Sequence, residues 1–63
     1  MENLLTVEEV QSVLHCGRDR VFRLFASGEL ANFRAGRRRL VRESDLAELV
    51  ERRIEAERPG ARQ

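Results

Sequence analysis

The sequence predicts a mainly α fold with one small two-stranded β element, in the order helix, helix, strand, strand, helix. Three observations predict it. Residues 6 to 14 and 18 to 27 carry apolar residues at helical spacing between recognisable start and stop signals. The stretch from 31 to 41 shortens to strand-like segments about a glycine, and a helical period then returns and ends at Pro59-Gly60. Sixty-three residues make one domain, and a chain of this length buries only about 60% of the surface its unfolded form exposes, so its core is small.

The first helix opens at Thr6-Val7-Glu8-Glu9. The Thr6 hydroxyl is placed to accept from the Glu9 amide and the Glu9 carboxylate to accept from the Thr6 amide, which is a capping box. Leu5 and Val10 flank it as a hydrophobic staple and set the angle at which the chain enters the helix. Val7, Val10, Val13 and Leu14 predict one buried face on a helix over 7 to 14, with Glu8, Glu9, Gln11 and Ser12 outward. His15-Cys16-Gly17 breaks the pattern.

A second helix is expected over 18 to 27, with Gly17 as a weak N-cap and Gly28 as its C-terminal stop. Val21, Leu24 and Phe25 form its inward stripe, Asp19, Arg20, Arg23, Ala26 and Ser27 lie opposite, and Phe22, on the shoulder, reads as core. Two helices three residues apart make a helix-turn-helix. In that motif the N-terminal part of the second helix reaches base edges in a major groove, so Arg18, Asp19, Arg20 and Arg23 are the expected readers of sequence.

Residues 31 to 35 and 38 to 41 read as two short strands about a tight turn at Gly36-Arg37, a wing. With that two-residue loop, Phe33 stands opposite Leu40 on the core side and Arg34 opposite Arg39 on the other. Like charges facing each other on a ladder are unfavourable unless a polyanion neutralises them. Leu40 and Val41 are both apolar, so alternation leaves open which one points inward. The whole reads as a winged helix-turn-helix.

The third helix starts between Arg42 and Ser44 and runs to about Arg58. Leu46, Leu49, Val50 and Ile54 give its apolar stripe, with Ile54 expected to be partly exposed because so small a fold cannot cover the last turns. Its outer face predicts the i, i+4 pairs Glu48–Arg52 and Arg53–Glu57. Residues 1–58 are thus expected to form a single domain and 59–63 a disordered tail.

The overall charge of +1 conceals a strong division. From Arg18 to Arg42 eight arginines stand against Asp19 and Glu29, a local net charge of +6, and both flanks are acidic. A basic segment split between one helix and one hairpin is the electrostatic footprint of a surface that meets a polyanion, nucleic acid first. Every basic residue is arginine, whose planar fork grips phosphate or guanine; GC-rich codon usage explains that preference equally well, but not the clustering. Arg37, Arg38 and Arg39, at a hairpin tip with no acid nearby, are expected on phosphate or in the minor groove. Arg34 and Arg42 are expected either on DNA or paired with Glu29 or Glu43.

Cys16 and His15 are the only residues of their kinds, which excludes an internal disulfide and a Cys/His zinc site. Cys16 reads as a small buried hydrophobe and His15 as structural. Taken as nucleophile and base, these neighbours lack a third group to orient the imidazole and an oxyanion site, so no enzymatic activity and no cofactor are expected. No apolar run approaches the roughly 18 residues of a membrane span, and the start Met1-Glu2-Asn3 lacks a signal-peptide pattern, so a cytoplasmic, DNA-associated protein is expected, away from membranes.

Three blocks carry a family resemblance: Leu5-Thr6-Val7-Glu8-Glu9-Val10; Val21-Phe22-Arg23-Leu24 running into Ser27-Gly28-Glu29-Leu30; and Gly36-Arg37-Arg38-Arg39-Leu40-Val41-Arg42 followed by Asp45-Leu46. In order and spacing they resemble the excisionase-type winged helix-turn-helix domains, small relatives of the MerR DNA-binding head, over Leu4 to about Arg53. Where that family usually has Leu-Gly-Val-Ser, this chain has Leu14-His15-Cys16-Gly17. His15 then takes a tight-turn position that glycine fills more cheaply, and Gly17 replaces a serine cap. The resemblance implies a protein that binds short, often repeated sites on double-stranded DNA beside a recombination attachment site. The second helix would enter the major groove, the wing would touch minor groove or backbone, and copies would associate cooperatively and bend the DNA, steering a site-specific integrase toward excision. Many members act instead as transcriptional regulators. A third possibility, a protein-interaction adaptor using Ile54 and Leu49 against a recombinase or a second copy, is compatible with DNA binding but alone leaves the +6 segment unexplained.

Overall fold

At the start of α1 (Val7–Leu14) the Glu9 amide donates to the Thr6 hydroxyl at 3.2 Å and the Thr6 amide to the Glu9 carboxylate at 2.8 Å, closing the capping box. This computed structural model describes residues 3–58, so the expected tail at 59–63 lies outside the described residues. His15 ends α1 in the left-handed region, at φ 54° and ψ 49°, and the Cys16 amide donates to the Gln11 carbonyl at 3.2 Å. Chain direction changes there, and α2 (Arg18–Ser27) begins with no side-chain cap at Gly17. His15→Gly is expected to raise the thermal midpoint by about 2–5 °C, since relief of the left-handed penalty exceeds glycine's cost in chain entropy. An unchanged or lower midpoint would assign the imidazole a compensating contact.

Gly28 stops α2 at φ 84°. The Leu30 amide then donates to the Leu24 carbonyl at 3.2 Å, which carries Leu30 beneath the helix, where it is wholly buried. The hairpin follows as β2 (Phe33–Ala35) and β3 (Arg38–Arg42), with Gly36 at φ 66° supplying the positive φ of the first central position of the turn. Phe33 pairs with Leu40, Arg34 with Arg39 and Ala35 with Arg38, the register that the loop Gly36-Arg37 predicts.

A further strand, β1 (Leu4–Thr6), is not part of that expectation. It pairs antiparallel with β3 and places Leu5 opposite Val41 and Thr6 opposite Leu40, giving a three-stranded sheet in the order β1-β3-β2. Its presence decides the faces. Directly paired residues share a face, and Leu5 packs against the core, so Val41 turns inward with it and is wholly buried. Phe33 and Leu40 therefore lie on the outer face, and Phe33 is 41% exposed, which overturns the expectation that they face the core. Arg34 and Arg39 take the inner face instead, beyond the edge of the core.

Helix α3 (Glu43–Glu57) follows β3 directly, its first amide donating to the Asn3 carbonyl at 3.0 Å. Val7, Val10, Val21, Leu24, Leu30, Val41, Leu46 and Leu49 form the core, with Leu14, Cys16 and Phe25 packed partly buried against it. Val13 is 52% exposed, so the inward face of α1 is narrower than its four apolar positions predict: eight residues cannot bring every side of the helix against so small a core. Ile54 is 51% exposed and every residue from 51 to 58 lies at the surface. Glu48–Arg52 forms at 3.9 Å, but Arg53 reaches Glu29 at 3.1 Å instead of Glu57, because the end of α2 lies within its reach. Among the described residues no helix is long and apolar enough to cross a membrane.

Candidate nucleic-acid interface

The turned faces of the hairpin bring its arginines against the start of α2. Arg34, Arg37, Arg38 and Arg39 from the wing and Arg18 and Phe22 from α2 line a cleft of about 550 Å³, with Thr6, Val7 and Glu8 at its α1 side. Five guanidinium groups face one carboxylate there. An assembly of this kind offers planar donor forks suited to phosphate rather than a nucleophile or a metal-ligand set.

The arginines are not equally held. Arg39 donates to the Asn32 side-chain oxygen at 2.8 Å, and the Asn32 amide nitrogen donates to the Leu30 carbonyl at 3.0 Å, so a buried residue aims the Arg39 fork. Arg34 donates from Nε to the Gly36 carbonyl at 3.2 Å and braces the turn from below. Arg18 donates to Glu8 at 3.4 Å, and its guanidinium carbon stands 5.1 Å from the Phe22 ring centroid. Glu8 lies below its usual carboxylate range, chiefly through hydrogen bonding to its own backbone amide; desolvation acts the other way, and the charge of Arg18 adds to the lowering. The side chains of Arg37 and Arg38 have no hydrogen-bond or ion-pair partner among the described residues.

Other expected site residues fall elsewhere. Asp19 and Arg23 are exposed on the side of α2 away from Val21 and Leu24, beside the cleft. Arg20 turns the opposite way and lines an apolar groove of about 270 Å³ with Leu14, Leu24, Arg53 and Ile54. Arg42 makes a bidentate pair with Asp45, at 2.7 and 2.9 Å, rather than with Glu29 or Glu43, and does not line the cleft. Asp45 sits in the first turn of α3, within one helical turn of Arg42, and that short reach decides the pairing.

A helix-turn-helix with a three-residue turn, an arginine-lined flank on its second helix and a β-hairpin beside it is now in view. A family model described as a helix-turn-helix domain matches residues 4–54. The chain belongs to this helix-turn-helix domain family. Its match spans all three helices and the sheet up to the exposed end of α3. Comparison with curated proteins and with solved structures gives no match.

Within this helix-turn-helix domain three residues of the interface escape sequence reasoning. Glu8 reads as a solvated helix position, and its contact with Arg18 depends on the angle between α1 and α2. Phe22 reads as core but is exposed at the cleft. Asn32 carries one local signal, an Asn just before a strand, where its side chain commonly bonds nearby backbone. Nothing in the spacing names Arg39 as its other partner.

Proposed function

We propose that the protein is an excisionase-type factor that binds and bends attachment-site DNA and steers a site-specific integrase toward excision. The arginine cleft between the start of α2 and the wing supports the DNA-binding part of this reading, and the resemblance to excisionase-type domains supports its finer part. In the docked complex α2 lies in the major groove with Asp19 and Arg23 toward base edges, and the wing arginines neutralise phosphates alongside. Phosphate neutralisation supplies most of the affinity, and one bidentate arginine contact to guanine adds about 1–3 kcal/mol of discrimination. In this reading the protein performs no bond chemistry; His15 lies exposed in a left-handed turn and Cys16 half-buried against the core. Copies bound at adjacent sites touch one another and the integrase through exposed side chains such as Ile54, Leu49 being buried and so outside such a ridge.

The test is a gel-shift titration with a bending assay on the DNA flanking the protein's own gene, attachment arms and promoter included. Successive shifted bands with bending on an attachment arm support the excisionase reading, whereas a single shift confined to a promoter replaces it with a transcriptional regulator. Arg23→Ala is expected to weaken binding to the bound site by about tenfold and to scrambled DNA far less. Equal loss on both DNAs would remove Arg23 from base readout.

A further inference from the structure

Phe22 stands on the polar side of its helix's burial boundary. It is 36% exposed, it lines the arginine cleft, and it follows Arg18 by four residues, so that Arg18, Phe22 and Ala26 form one row along α2 beside the row of Asp19 and Arg23. The ring is held in place. It forms a T-shaped pair with Phe25, centroids 5.3 Å apart and planes at 79°, and the Arg18 guanidinium stands over its face at 5.1 Å. Phe22 is thus a fixed apolar surface among five arginines, on the flank of the helix that the family fold presents to a groove.

A phenyl ring has no donor for phosphate and no donor or acceptor for a base edge. What B-form DNA offers it in the major groove is the thymine C5-methyl group, a contact that also separates an A·T pair from a G·C pair. Insertion between base steps is the other use of an exposed phenylalanine, but a wedge must project freely, and this ring is packed in a T-shaped pair with Phe25. We propose that Phe22 is a specificity-determining residue that reads a thymine methyl in the major groove, beside the base pair or phosphate met by Arg18. The inference rests on the DNA-binding reading above and adds an apolar element to its recognition.

The experiment begins with a duplex selected from a random-sequence pool by the wild-type protein. Each thymine in the selected duplex is then replaced in turn by deoxyuridine, which removes only the methyl. One thymine per bound site is expected to lose about three- to fivefold in affinity, the value of one methyl group taken from water. In Phe22→Ala, checked for an intact cooperative unfolding transition, overall affinity falls and deoxyuridine at that position has no further effect. Uniform indifference of the wild-type protein to deoxyuridine overturns the proposal with no variant needed, and so does methyl sensitivity that persists in Phe22→Ala. If the pool yields no enriched sequence and no salt-sensitive binding, the DNA-binding reading itself falls and the proposal falls with it.

Discussion

Replacing Arg37 and Arg38 together with alanine is expected to weaken binding to specific and scrambled duplexes alike, by roughly 10- to 30-fold near physiological salt. The slope of log K against log salt should flatten by up to about two units. The size follows from counterion release, since each phosphate contact contributes a slope of about 0.9, and for two contacts the slopes add while the factors in affinity multiply. The position of these two residues makes the test clean. Arg34 braces the turn through the Gly36 carbonyl, Arg39 is tied to Asn32, Arg18 to Glu8 and Arg42 to Asp45, so truncating any of those also removes a contact within the fold. Arg37 and Arg38 have no such partner among the described residues. Their loss therefore reads out on the ligand and leaves the thermal midpoint close to that of the unaltered protein. An unchanged slope would show that the wing does not touch phosphate.

Leu30→Ala is expected to cost about 3–5 kcal/mol, the range for a fully buried leucine whose site cannot collapse. Domains of this size hold only about 3–5 kcal/mol in all, so the variant should be largely unfolded at 37 °C. Leu30 is wholly buried, its amide is bonded to the Leu24 carbonyl, and its own carbonyl accepts from Asn32. The side chain fills the core, and its anchorage there holds the backbone amide and carbonyl that tie the end of α2 to the residue aiming Arg39. Val13→Ala, at a position 52% exposed on α1, is the matched control and should cost under about 1 kcal/mol. Urea titration followed by circular dichroism decides it. A cooperative transition for Leu30→Ala within about 1 kcal/mol of the unaltered protein would show that the core does not depend on this residue.

How much of this was legible beforehand follows from the range of each signal. The helix boundaries were, because caps and stops are local: Thr6 and Glu9 sit three residues apart, Gly28 terminates α2 by its own φ, and α3 begins directly after the strand that precedes it. The hairpin register was legible for the same reason, since a two-residue loop dictates its pairs. The strand β1 was not. Three residues carry no period, and its partner β3 lies more than thirty residues away in sequence. That single omission misplaced the faces of the sheet, because only the pairing of Leu5 with Val41 says which of Leu40 and Val41 goes inward.

The interface divides along the same line. Clustering of arginines between Arg18 and Arg42 marked the segment, and the structure gathers Arg18, Arg34, Arg37, Arg38 and Arg39 on one cleft. Composition could not separate these from Arg20 and Arg42, which are as basic and as near in sequence. Their directions depend on the turn of α2 against α3 and on the reach of Asp45, both tertiary facts. Periodicity placed Phe25 in the inward stripe of α2 and Phe22 on its shoulder, and could not say that the shoulder faces solvent: Phe25 is half-buried, and Phe22, read as core, is exposed at the cleft.

DNA binding by this protein requires that the arginine cleft be an electrostatic seat for the duplex. The measurement is fluorescence-anisotropy titration of the unaltered protein on a labelled duplex at a series of salt concentrations. With five arginines on the cleft, a slope of log K against log salt of about −3 to −5 is expected. Absence of binding at low salt, or affinity that does not change with salt, would contradict it.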